Sequence, residues 1–187
     1  VLPALENDKH VLTEARMAMN AVEARIMLDA ALQKPELVAQ IVPAPHTLAV
    51  DKVIKDKIAD GYLGDILSVD ISVHQGDFID WESPFHWRDD RDLSGYNIMR
   101  LGIWYEAMMR WLGPAESVTA ITKIHVKSRD DGAGDIRHIT IPDHVEILCE
   151  MASGPLVHIR HSAVLGLAPS DSAWLFGTEG TLYLDAG

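Results

Sequence analysis

Cysteine occurs once in the 187 residues, at Cys149. No intramolecular disulfide framework can hold the fold, and the chain suits a reducing compartment, which sets a cytoplasmic expectation. Positive charge is also scarce. Sixteen Lys and Arg stand against 28 Asp and Glu, a formal net charge of −12. Binding a phosphate backbone needs a surface of the opposite sign, so nucleic acid is excluded as a partner. No apolar run approaches the roughly 18–20 residues of a membrane span, which argues against a membrane partner. The N-terminal VLPALENDKH has neither a basic region nor a cleavage signature. Internal repeats and low-complexity tracts are missing as well. What remains is 48% hydrophobic and 24% charged, the composition of an ordinary globular core and not of a disordered chain.

Read in order, residues 1–7 resemble the end of a helix, and Lys9 to Thr13 a short buried strand ending at the acid Glu14. Asn20 is a good N-cap with Glu23 three residues on, as in a capping box. Ala24, Met27, Leu28 and Ala31 then recur at helical spacing until Pro35 stops the helix. Leu37 to Val42 is a second apolar strand. Strand, helix, strand implies a parallel βαβ unit. After the break PAPH, Thr47 is expected to cap a helix burying Val50, Val53, Ile54 and Ile58. The pairs Asp51–Lys55 and Lys52–Asp56 would lie on its exposed side, and Gly61 and Gly64 would end it.

The pattern then changes. Leu67, Val69, Ile71 and Val73 alternate with Ser68, Asp70, Ser72 and His74, a half-buried strand. Similar alternation recurs at 118–126, 145–151 and 156–164, with shorter strands near 173–177 and 181–185 joined by GTEG. One helix, about 97–112, interrupts them. The fold class expected is α+β: residues 1–43 as the C-terminal remnant of a Rossmann-type α/β domain, then 44–187 as an open, mainly antiparallel sheet with helices on one face. Both chain ends read as breaks inside a larger protein.

Several motifs invite chemistry and have plainer readings. GAGD at 132–135 contains G-x-G but lacks the third glycine and opens no apolar helix, so it reads as a solvated loop. The nine histidines include no H-x-x-x-H, and His158 and His161 face opposite sides of a strand, so no metal site is expected. The loop FHWRDDRDLSGYN at 85–97 feeds the helix IMRLGIWYEAMMRWLG. On a helical wheel Ile98, Leu101, Tyr105, Met108 and Leu112 form the stripe expected to be buried. Asn97, Arg100, Trp104, Ala107 and Trp111 form a neighbouring stripe, for which cleft lining and plain packing both remain open. Glu106 reads as a surface ion pair with Arg110.

Taken in order, these pieces resemble the glucose–fructose oxidoreductase/inositol dehydrogenase/rhizopine-catabolism (Gfo/Idh/MocA) family. ALENDKHVLTEARMAMNAVEA is similar to the family's GKHVLCEKPMA strand and the helix after it. VIKDKIADGYLGDILSVDI is similar to its I-x-x-G-x-I-G link into the second domain. SGYNIMRLGIWYEAMMRWLG is similar to its glycine-rich turn and D-x-G-x-H helix, and GTEGTLYLD to its late hairpin. The resemblance implies an N-terminal Rossmann domain binding NAD or NADP, an α+β second domain, and hydride transfer between nicotinamide and a sugar, polyol or related carbonyl compound.

The resemblance also exposes departures. Where the family has E-K-P, this sequence has Glu14-Ala15-Arg16, so the lysine position is Ala15. The family's aspartate falls on Arg100 and its histidine on Trp104. Arg16 stays protonated and is a poor proton donor. The resemblance places Glu14 and Arg16 at the cofactor and Trp87, Arg88, Asn97, Arg100 and Trp104 around the substrate, and it leaves the catalytic residues unassigned. Without the phosphate-binding turn, the chain is expected to bind no dinucleotide on its own. Two readings follow. One is a fragment of an NAD(P)-dependent oxidoreductase, inactive by itself. The other is a non-catalytic oligomerising or ligand-sensing protein derived from the same fold. Apolar residues on both sheet faces, including Ile121, Leu148 and Leu156, lead to the expectation of a homodimer through the open face.

Overall fold

A computed structural model describes residues 1–14, 17–42, 45–96 and 98–185, with backbone alone at 45–48. The elements in chain order are α1 (Leu2–Glu6), β1 (Val11–Thr13), α2 (Ala21–Leu32), β2 (Ala39–Ile41), α3 (Pro45–Ala59), β3 (Ile66–His74), α4 (Arg91–Ser94), α5 (Met99–Leu112) and β4 (Ala115–Lys123). They continue with β5 (Ser128–Asp130), β6 (Ile136–His138), β7 (His144–Met151), β8 (Leu156–Ser162), β9 (Ser172–Gly177) and β10 (Thr181–Asp185).

β1 and β2 pair in parallel, with Leu12 opposite Gln40, and α2 is the connection between them. Asn20 caps α2 by accepting from the Glu23 backbone N–H at 3.0 Å. The Glu23 carboxylate reaches back to the Met19 N–H at 2.9 Å, one residue earlier than a strict capping box requires. The expected apolar face of α2 is not buried. Leu28 is half exposed, and Val22, Ile26 and Leu32 lie open beside it. The reason is geometric: two strands make too narrow a layer to cover a helix of three turns.

The main sheet has six strands in the order β10-β9-β3-β8-β7-β4. All its pairings are antiparallel except β3 with β8, where Ile71 faces Ile159 in a parallel register. Alternation alone does not report strand direction, so that pair was not legible as parallel. Val69, Ile71 and Val73 of β3 and Val157 and Ile159 of β8 point into the core. Leu67 was expected with them but is exposed. A register shift between Ile66 and Ser68 against β9 turns Ile66 inward in its place.

α3 and α5 cover one face of the sheet. α3 begins at Pro45, a favoured first helical residue, so Thr47 lies inside the helix and is not its cap. Val53 is exposed, and Asp51 is buried instead. The helix is rolled so that the Asp51 carboxylate meets α5: Arg110 Nε donates to it at 3.2 Å and Trp111 Nε1 at 3.1 Å. The Asp51–Lys55 pair is therefore not a surface feature, and Arg110 pairs with Asp51 where an ion pair with Glu106 was expected. The buried stripe of α5 is Trp104, Ala107, Met108, Trp111 and Leu112, while Ile98, Leu101 and Tyr105 are only half-buried. Each buried indole finds a carboxylate for its N–H, which removes the penalty of burying it. β5 and β6, a hairpin around the GAGD loop, had no apolar alternation to announce them.

Candidate functional site

A cleft of about 540 Å³ opens between the first turn of α5, the Gln75–Ser83 loop, the β5–β6 arm and the end of β8. Its walls mix three guanidiniums (Arg88, Arg100, Arg129), carboxylates (Asp77, Asp80, Asp89, Asp143), the imidazole of His161 and the ring of Phe78.

The walls are held by hydrogen bonds within and between these segments. Asp80 accepts from the backbone N–H groups of Glu82 and Ser83 at 2.9 and 3.1 Å and from the Ser83 hydroxyl. That hydroxyl first, then those amides, hold its carboxyl below the usual range. Arg129 Nη1 donates to the Ser83 carbonyl at 2.8 Å, tying the arm to the loop. Asp143 accepts from the His125 and Val126 amides at 2.7 and 3.0 Å and pairs with His125 Nδ1 at 2.7 Å. Around the Trp87–Asp89 turn, His86 and Asp89 cap reciprocally, and the Thr140 amide donates to the Asp89 carbonyl at 2.9 Å.

Behind Arg100, outside the cleft lining itself, lies Asp171, in the segment before β9. Arg100 Nη2 donates to both its oxygens at 2.8 Å, Trp104 Nε1 donates at 3.1 Å and the His74 backbone N–H at 2.9 Å. Arg100 and Trp104 stand four residues apart on α5, so one helix face presents both to one carboxylate. His161 lies beside them, buried, in the row Val157–Ile159–His161 of β8. Burial, and then the Arg100 guanidinium, push its imidazole down to about 4, so it is neutral at pH 7.

Of the expected substrate residues, Arg88 and Arg100 line the cleft. Trp87 does not; it is half exposed and carries the Arg88 guanidinium 4.7 Å from its ring centroid. Trp104 is buried beneath the cleft and reaches the site through Asp171. Glu14 is exposed at the end of β1 and is not part of the cleft wall. Ala15, Arg16 and Asn97 lie outside the described residues. The two regions nevertheless meet nearby. Gly95, at φ 67°, packs so closely on the Met19 carbonyl that a Cβ there would sit 1.9 Å from its oxygen. The β1–α2 connection is thereby held against the end of α4.

His161, Asp171, Arg129, Asp77, Asp80, Asp89 and Asp143 were not singled out as site residues from the sequence. His161 had a usable signal, since it continues the inward alternation of Val157 and Ile159. Asp171 had none, because its partners are 67 to 97 positions away.

The GFO/IDH/MocA C-terminal domain family model matches residues 52–183. The chain belongs to the GFO/IDH/MocA family. Solved structures agree in fold. An NAD binding oxidoreductase from Klebsiella pneumoniae is 25% identical, with TM-score 0.86 over 98% of this chain and 50% of its own. Levoglucosan dehydrogenase, in complex with NADH and L-sorbose, is 21% identical with TM-score 0.87, over 98% of this chain and 50% of its own. The WlbA dehydrogenase from Bordetella pertussis, in complex with NADH and UDP-GlcNAcA, is 18% identical with TM-score 0.76, over 97% of this chain and 54% of its own. This chain thus spans about half the length of those structures. No curated protein matches the sequence.

The family implies a dinucleotide, and the residues present do not fit its pyrophosphate. The first glycine in the sequence is Gly61. The β1–α2–β2 unit therefore has no Cβ-free turn to bring backbone N–H groups against phosphates. The groove along that unit is apolar, walled by Val11, Ala24, Met27, Leu28 and Ile41, with Arg25 as the one charged side chain among the described residues that line it. Among the described residues, no helix is long and apolar enough to cross a membrane.

Proposed function

We propose that this chain is the substrate-binding half of an NAD(P)-dependent oxidoreductase acting on a sugar, polyol or related carbonyl compound. On this reading the 187 residues do not grip the dinucleotide by themselves. The observation that carries it is the cleft wall, where guanidiniums and carboxylates stand together with the imidazole of His161. Such a wall offers donors and acceptors to a ring of hydroxyls, which each donate and accept, and offers no single-sign field for a polyanion. The relatives add support, since two of them are complexes with NADH and a sugar or sugar nucleotide.

The test is a titration of the purified chain. NADH and NADPH are expected to give no low-micromolar heat by calorimetry. L-sorbose or levoglucosan is expected to shift amide resonances of Arg88, Arg129 and Val164. Low-micromolar nucleotide binding, or sugars that leave those amides unmoved, would overturn the reading.

A second reading, a ligand-sensing or oligomerising protein without chemistry, is favoured by one observation. Arg100 is engaged by Asp171 and Trp104 is buried against it, so neither of these helix residues is available to carry a proton. Reduction of NAD or NADP by the full gene product with a sugar panel discriminates the two, since a sensor binds without turnover.

A further inference from the structure

We propose that His161 is a ligand-contacting residue of the cleft, presenting its Nε2 edge as a neutral hydrogen-bond donor to an oxygen of a polyhydroxylated carbonyl ligand. The inference rests on the reading of the cleft as a sugar or polyol site.

His161 interrupts an apolar layer. In the sheet register it sits between Val73 of β3 and Val145 of β7, both buried. An aliphatic side chain would fill that position without any polar cost. His161 instead is 4% exposed, and its Nδ1 is sealed with no hydrogen-bond partner among the described residues. Buried polar atoms are nearly always satisfied, so an imidazole with a sealed, unpartnered nitrogen in a core layer calls for an explanation. The ring nevertheless lines the cleft. With Nδ1 sealed, Nε2 is the ring nitrogen left to meet the cleft.

The tautomer follows from the same geometry. An N–H sealed away from any acceptor costs more than a bare lone pair, so the proton belongs on Nε2. The groups facing the ring agree with a neutral state. Arg100 from α5, His144 from β7 and His74 from β3 oppose a positive charge, and only Asp171 favours one. The ring therefore offers one donor at the cleft and no charge. Beside it stands Arg100, and Arg129 with Asp77, Asp80 and Asp89 complete the wall. His161 and the guanidiniums take ligand oxygens as acceptors; the carboxylates take hydroxyl protons. A ligand bearing both a carbonyl or ether oxygen and several hydroxyls satisfies the set.

The experiment is long-range 1H–15N NMR on the [15N]histidine-labelled chain. The His161 signals are assigned by their loss in His161→Gln, and the chain is titrated with L-sorbose and with levoglucosan. In the free chain at pH 7 the expected result is a neutral ring with the proton on Nε2. With sugar, the His161 ring signals move together with the Arg88 and Arg129 amides, and His161→Phe weakens binding at least tenfold. A charged ring, or a proton on Nδ1, overturns the inference before any sugar is added. Sugar shifts at Arg88 and Arg129 with a silent His161 ring, and unchanged affinity in His161→Phe, overturn the inference alone and leave the cleft reading standing. Sugars that move neither the amides nor the ring overturn both. The wild-type spectra decide these outcomes even if His161→Phe fails to fold.

Discussion

Asp171 gathers donors from α5 and from the end of β3, and so fixes Arg100 at the cleft floor. Asp171→Asn keeps the shape but sets an amide N–H against a guanidinium and removes the charge. The expected loss is about 1–3 kcal/mol in urea unfolding, the range for a charged hydrogen bond left without its partner. An Asp171→Asn protein as stable as the wild type would mean that the network contributes nothing net. His161 gives a second check, this one in pH. Its folded value is about 4, against an ordinary 6.5. Between those values the unfolded chain takes up a proton that the folded chain refuses. The His161 contribution to stability is therefore fully present above pH 6.5 and is lost as pH drops toward 4, by an amount on the order of 3 kcal/mol at full shift. Carboxylates also titrate at the acid end of this window, so the informative quantity is the difference between wild type and His161→Phe. The wild type is expected to lose more stability than the variant between pH 7 and 4.5, measured by chemical denaturation at both. Parallel losses would show that the imidazole is not held neutral.

At the scale of elements, α3 and α5 are joined through one buried carboxylate. Asp51 accepts from Arg110 and Trp111. The Arg110 hydrogen bond, working against burial, keeps its carboxyl below the usual value. Asp51→Ala strands the Trp111 N–H in the core and leaves Arg110 without its anion. A loss of about 2–4 kcal/mol is expected in thermal or denaturant unfolding, and Asp51→Asn should recover part of it. The contribution of Asp51 is present above the ordinary carboxylate range and is lost as pH falls through its lowered folded value. This clamp also marks the limit of what the sequence conveys. The span of α5 and the strands β3, β7 and β8 were legible because each is a local period of apolar residues. The face of α5 that goes inside was not. A wheel weighs Trp104 and Trp111 by their own chemistry, whereas their burial depends on Asp171 and Asp51, which lie 67 and 60 positions away. The candidate site was legible only where it touches α5 and the turn before it, at Arg88 and Arg100. Its other walls come from loops with no periodicity, and the sheet brings them together.

At the scale of the molecule, the face of the sheet turned away from the helices is unusually apolar for a surface in water. Ile121 is 70% exposed, Leu148 61% and Leu156 62%. Further along, Trp174 stacks with Phe176 at 5.8 Å and meets Tyr183 at 4.2 Å between ring centroids. Charge is interleaved and matched in part: Glu146 accepts from His158 at 2.8 Å and from Arg160 at 2.7 Å, while Asp70 and Glu150 stand exposed on the same face with no ion pair among the described residues. Matched charges lose less on leaving water than lone ones, so the Glu146 cluster can be covered without stranding an ion, with Asp70 and Glu150 left to the rim or to a partner's cation. A two-fold homodimer is the occupant proposed, because an isologous contact places like patches on like patches and buries them in one step. It would cover roughly 1,600 Å² in total if it is of standard size. The competing surface is α2, where Val22, Ile26 and Leu32 are also open. The two are separated by substitution. At tens of micromolar, light scattering behind a sizing column is expected to give twice the 20.7 kDa chain mass. Ile121→Lys combined with Leu148→Asp should return it to one chain mass, with the far-UV spectrum unchanged. A dimer that survives those changes and is broken by Val22→Glu would move the interface to α2. A wild-type protein running as a single chain at that concentration would remove the dimer altogether.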